Sequence, residues 1–142
     1  MRLKVFSDGG ARGNPGPAAI GFLVYKMSPK DDVLLVKKNE YIGVSTNNKA
    51  EYTALFKALS WILDRFKSKN IDEIICFLDS QLVCHQLNGL YRVKDKDLQS
   101  LVDKIKSLEE RLQADISYNH IQRSRNKEAD LLVNLALDSA NI

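Results

Sequence analysis

The strongest constraint on this chain is a change in the period of its apolar residues near position 46. Ahead of it, residues 2–7, 18–26 and 33–44 alternate as strands do, with Leu3 and Val5 on one face and Phe6 on the other. Behind it, apolar residues recur at helical spacing. The stripe Leu55, Ala58, Leu59, Ile62, Leu63, Phe66 defines one helix from Thr46 or Asn47 to about Lys67. Residues 74–78 form an unbroken apolar run, the pattern of a central strand covered on both faces. Ser80 can cap a short helix that Asn88-Gly89 ends, and a second amphipathic helix follows over 97–112. A strand over 115–120 and a helix over 126–140 complete the order. Three strands joined by short turns favour an antiparallel meander. The later alternation of helices and strands implies one mixed sheet flanked by helices, an α/β architecture.

The glycine-rich stretch GGARGNPGP at 9–17 reads as a turn, so Asp8 is expected to end the first strand. It is not a phosphate-binding P-loop, because no Gly-Lys-Ser/Thr follows. With 142 residues the chain suits a single domain, 1–142, and a hydrophobic fraction of 44% excludes a disordered one. No apolar run is long enough to span a bilayer, and the first residues lack the apolar stretch of a signal peptide. Cys76 and Cys84 have no metal-ligand spacing and are read as reduced thiols, which with the missing leader points to the cytoplasm. The net charge of +3 permits a polyanionic partner without requiring one.

Four acids stand out by position. Asp8 and Asp79 sit at strand ends, where open α/β sheets bind ligands. Glu51 lies on the core-facing stripe of its helix, an anomalous place for an acid without a cationic partner. Asp130 lies three and seven residues before Val133 and Leu137, at the margin of an apolar face. Taken singly, each is an ordinary turn, cap or surface acid. Taken together, converging carboxylates repel unless cations separate them, and hard oxygen ligands select Mg²⁺, with Mn²⁺ as a substitute. Two such ions would suit phosphodiester hydrolysis. Asn14, Asn47 and Asn48 can donate to phosphate or sugar oxygens without adding charge. His120 can carry a proton near neutral pH, whereas His85 is read as structural.

Four blocks then make the chain recognisable: FSDGGARGNPGP at 6–17, TNNKAEYTAL at 46–55, LDSQ at 78–81 and HIQRSRNKEADLLV at 120–133. In this order and spacing they resemble the type 1 ribonuclease H family over almost the whole chain. The resemblance implies a ribonuclease H-like five-stranded sheet, three strands antiparallel and the rest parallel. It implies an endonuclease that hydrolyses the RNA strand of RNA/DNA hybrids with two metal ions, leaving 5′-phosphate and 3′-hydroxyl ends. Asp8, Glu51, Asp79 and Asp130 match the family's metal-binding carboxylates, and His120 its mobile histidine. Asn14, Asn48, Gln81 and the Gly9 backbone match contacts to the RNA strand around its 2′-hydroxyls, the group that separates RNA from DNA.

Residues 87–96 are too short for the basic, tryptophan-bearing handle of many family members, and the single tryptophan, Trp61, lies in the first long helix as a packing residue. The compact form resembles the archaeal and small bacterial branch. Tyr91, Arg92, Lys94 and Lys96, or Arg123, Arg125 and Lys127, are candidate replacements for that grip. A monomer with no obligate protein partner is expected. Two rivals stay open: a module that binds hybrid without cutting it, and a nuclease of the same fold that cuts DNA.

Overall fold

A computed structural model describes residues 1–67 and 70–140. The chain runs β1 (Arg2–Ala11), β2 (Gly16–Lys26), β3 (Val33–Ser45), α1 (Asn47–Phe66), β4 (Glu73–Leu78), α2 (Gln81–Leu87), α3 (Lys96–Leu112), β5 (Asp115–His120) and α4 (Lys127–Ser139). The five strands lie in the order β3-β2-β1-β4-β5. The first three pair antiparallel, and β4 joins β1 and β5 in parallel. This is the mixed sheet that the change of period implies.

Strand alternation sorts side chains between two faces. Leu3 and Val5 of β1 meet Phe22 and Val24 of β2 in the larger core, together with the α1 stripe and Val102, Ile105, Leu108 and Leu112 of α3. On the other face α4 packs on the meander, in two small clusters built around Ala19 with Val133 and Leu137, and Leu23 with Ala129 and Leu132. Trp61 is half-buried against the larger core and meets Phe66 edge-on, a packing residue as expected.

The helix starts follow capping chemistry. Thr46 Oγ1 accepts the Lys49 N–H at 3.2 Å and Ser80 Oγ accepts the Val83 N–H at 3.3 Å. Asp95 caps α3 by accepting the N–H groups of Asp97 and Leu98, so that helix begins at Lys96, one residue earlier than its apolar pattern suggests.

One expectation needs correction. The glycine-rich stretch is not a turn from Gly9 onward, and Asp8 does not end β1. The strand continues to Ala11, with Gly9 opposite Ile20 and Gly10 opposite Ala19, leaving only residues 12–15 as the connection. The physical reason is close packing. A Cβ on Gly9 would lie 2.2 Å from the Ala50 carbonyl carbon, so glycine here lets the first turn of α1 rest directly on the strand.

Candidate active site

Asp8 sits inside β1, buried and directly opposite Gly21 of β2. Two glycines bring helices to it. Gly9 admits the first turn of α1, and with it Glu51. A Cβ on Gly21 would lie 2.7 Å from Leu132 Cβ and 2.8 Å from the Ala129 carbonyl oxygen, so glycine there admits α4, and with it Asp130. The β1–β4 pairing stops at Phe6 and Phe77, and Asp79 follows the last residue of β4 beside the free stretch of β1.

The result is a cleft of about 280 Å³. Asp8, Glu51 and Asp79 each place a carboxylate oxygen within 4.8 Å of the other two. Asp130 stands close enough that its charge acts on Asp8. Burial is the largest influence, pushing the Asp8 carboxyl up to about 7, with the charges of Asp79 and Asp130 adding to it. The hydrogen bond with Glu51 works against that rise. Glu51 is pushed well above the usual carboxylate range by burial first, then by Asp8 and Asp79. Its Oε2 is buried with no hydrogen-bond partner. No cation is paired with Asp8, Glu51 or Asp79 among the described residues. An all-oxygen donor set, mutual repulsion and an orphaned buried oxygen fit a hard divalent cation.

The other predicted residues distribute unevenly. Asn47 lines the cleft, and its Oδ1 accepts the Ala11 N–H at 2.8 Å, while Asn14 Oδ1 accepts the Asn47 N–H at 3.0 Å. Asn14 therefore ties the 12–15 turn to α1 and Asn47 ties the end of β1 to it, both through their amide oxygens, which leaves their NH₂ groups to donate. Asn48 is half-buried in the first turn of α1, and Gln81 is exposed at the start of α2. The Gly9 backbone lines the cleft floor. His120 ends β5 opposite Leu78, the residue before Asp79, and is exposed outside the lining of the cleft.

Two contacts escaped the sequence reading. Asn126 is 2% exposed, and its Nδ2 donates to the Ser7 carbonyl at 2.9 Å and to Asp79 Oδ2 at 3.0 Å. It thus locks the acid after β4 to the strand that carries Asp8. Arg123, which lines the cleft, donates to Asp130 Oδ1 at 3.2 Å. An asparagine before a helix reads as a cap, and only the fold shows that this side chain turns inward. Cys76 and Cys84 are both free and buried. No helix among the described residues is long and apolar enough to cross a membrane.

A family model described as reverse transcriptase-like matches residues 6–136. Ribonuclease HI of Halobacterium salinarum is 38% identical over 139 residues, which are 98% of this chain and 66% of that protein. A bifunctional protein of Mycobacterium tuberculosis is 36% identical over 140 residues, covering 99% of this chain. The chain spans only about 36% of the length of the mycobacterial relatives. Among solved structures, ribonuclease H1 of H. salinarum superimposes with a TM-score of 0.88 at 37% identity, covering 99% of this chain and 100% of that one. LC11 ribonuclease H1, isolated from compost and solved in complex with an RNA/DNA hybrid, gives 0.87 at 40% identity, with 96% of each chain covered. A model match along nearly the whole sequence and whole-chain superpositions at such identity agree, and the chain belongs to the type 1 ribonuclease H family.

Proposed function

We propose that this chain, acting as one nuclease domain over residues 1–142, hydrolyses the RNA strand of RNA/DNA hybrids and leaves 5′-phosphate and 3′-hydroxyl ends. The observation that carries this is the convergence of Asp8, Glu51 and Asp79 within 4.8 Å, the first two buried and Asp79 half-buried, without a paired cation among the described residues. The hybrid held by LC11 ribonuclease H1 supports the substrate.

Asp8, Glu51, Asp79 and Asp130 would hold two Mg²⁺ ions, or Mn²⁺ in their place. Such ions supply a more acidic water and neutralise charge developing on the phosphodiester. Asn126 fixes the Asp79 carboxylate. Asn14 and Asn47, their oxygens already engaged, present NH₂ donors toward the RNA strand beside the Gly9 backbone. Asn48 and Gln81 complete that row from the starts of α1 and α2. Reading 2′-hydroxyls in this way separates RNA from DNA. His120, exposed beside the Asp79 end of the sheet, carries protons to and from solvent. Arg123, Arg125 and Lys127, with Tyr91, Arg92, Lys94 and Lys96, take the place of the missing handle in gripping the backbone. The buried free thiols suit a reducing cytoplasm, and a monomer suffices for the site.

The test is cleavage of one end-labelled duplex made as RNA/DNA, DNA/DNA and RNA/RNA, each with Mg²⁺, Mn²⁺ or chelator. The expected result is metal-dependent cutting of the hybrid's RNA strand alone. Cutting of the all-DNA duplex, or binding of the hybrid without cutting, would overturn the reading.

A further inference from the structure

Of the four acids assigned to the site, one is set apart. Asp8, Glu51 and Asp79 place carboxylate oxygens within 4.8 Å of one another and have no paired cation among the described residues. Asp130 is outside that group of three, and it is the acid that carries an ion pair, with Arg123 Nη2 3.2 Å from its Oδ1. The charges of Asp8 and Asp79 add to the hold of Asp130 on that guanidinium.

Arg123 is built to let go. Its side chain is 79% exposed and that of Asp130 30%. An ion pair so open to water is worth a factor of about five at most, so a better anion displaces it. The backbone beneath it is fixed. The short turn Arg123–Arg125 closes through the Arg125 N–H on the Gln122 carbonyl and the Asn126 N–H on the Arg123 carbonyl. The buried Asn126 side chain anchors the turn to Ser7 and Asp79. Side-chain rotation alone therefore carries the guanidinium from Asp130 to solvent, where Arg125 and Lys127 are also exposed.

A divalent cation on Asp130 is a rival of Arg123, because like charges gathered on one carboxylate repel. A backbone phosphate acts in the opposite sense, since a guanidinium takes it in the same two-pronged way as a carboxylate. We propose that Arg123 is a latch on Asp130: it holds the carboxylate in the free protein and exchanges it for a backbone phosphate of the bound hybrid, which frees Asp130 for metal. Hybrid and metal then raise each other's affinity by the same factor. This rests on the proposed metal-dependent nuclease activity and gives Arg123 a part beyond gripping the backbone, because it ties filling of the metal site to arrival of substrate.

The test has two binding arms, neither read through turnover. Mg²⁺ uptake by the free protein is followed by amide NMR in wild type, Arg123→Gln and Arg125→Gln. Arg123→Gln should bind Mg²⁺ about two- to fivefold more tightly. Arg125→Gln, which removes the same charge from the same turn, should match wild type in Mg²⁺ affinity. Hybrid binding is followed in chelator, where the RNA strand is expected to stay whole. There Arg123→Gln should bind hybrid more weakly and lower the log–log salt slope by about 0.9, the share of one phosphate. Opposite changes in the two affinities of Arg123→Gln support the latch. An unchanged or weaker Mg²⁺ affinity in Arg123→Gln, an equal gain in Arg125→Gln, or an unchanged hybrid affinity would overturn it. A wild type that takes up no Mg²⁺ would overturn the metal site and the latch together, whereas normal uptake with any of those three results would overturn the latch alone.

Discussion

The two faces of the sheet are built on opposite terms. The α1 face is a continuous apolar core in which Leu55, Leu59, Ile62, Ile74 and Ile105 are fully buried. The α4 face holds two small clusters, and between and beside them lie Asp8, Asn126 and an open aromatic wall. One strand serves both: β1 gives Leu3 and Val5 to the first face and Phe6 and Asp8 to the second. Such a division lets the well-packed face support a face that buries charge at a cost.

The sharpest way to break this comparison is to change two residues on the α4 face and one on the α1 face. Asp8→Asn should abolish metal-supported cleavage while circular dichroism shows a native fold. Near-wild-type turnover in that variant would remove Asp8 from the site. Asn126→Ala frees Asp79 without touching the substrate, and losses of about 10–100-fold in activity or metal affinity are expected from such supporting contacts. Mg²⁺ titration of activity should show higher metal demand, and an unchanged demand would make Asn126 merely structural. Leu59→Ala on the other face should cost about 2–5 kcal/mol in denaturant unfolding, with activity per folded molecule preserved. A catalytic defect there would deny the separation of roles.

A smaller effect comes from pH. Without metal, the folded-state pKa of Asp8, about 7, exceeds its ordinary 3.8, and Glu51 is raised in the same direction. Between those values the folded protein binds more protons than the unfolded one. As far as these groups decide it, their contribution is fully present below the ordinary value of 3.8 and is lost as pH rises from there through about 7. Thermal melting in chelator across that window checks the sign, and a metal-free protein that gains stability toward pH 8 would contradict it.

The parts of this molecule legible in sequence were those carried by period and punctuation. The α1 stripe, the β4 run and the Ser80 cap all lie where their patterns place them. Glu51 was conspicuous because an acid on a buried stripe violates the pattern, and the structure places it against Asp8. The glycine stretch misled because two kinds of glycine share one motif. Gly13 has a positive φ of 91° in the connection, whereas Gly9 is an extended residue needed for close approach. Only the packing of α1 tells them apart. Asn126 was hidden for a related reason: its role depends on Ser7 and Asp79, which are remote in sequence.

The claim beneath all of this is that the acid cluster is a metal site that the metal-free protein holds under repulsion. The direct measurement is thermal melting at pH 8 of wild type and Asp8→Asn, with and without Mg²⁺. Wild type should melt higher as Mg²⁺ is added, whereas Asp8→Asn should start at or above the metal-free wild type and respond little. A wild type indifferent to Mg²⁺, or an Asp8→Asn variant destabilised as a core truncation is, would contradict it.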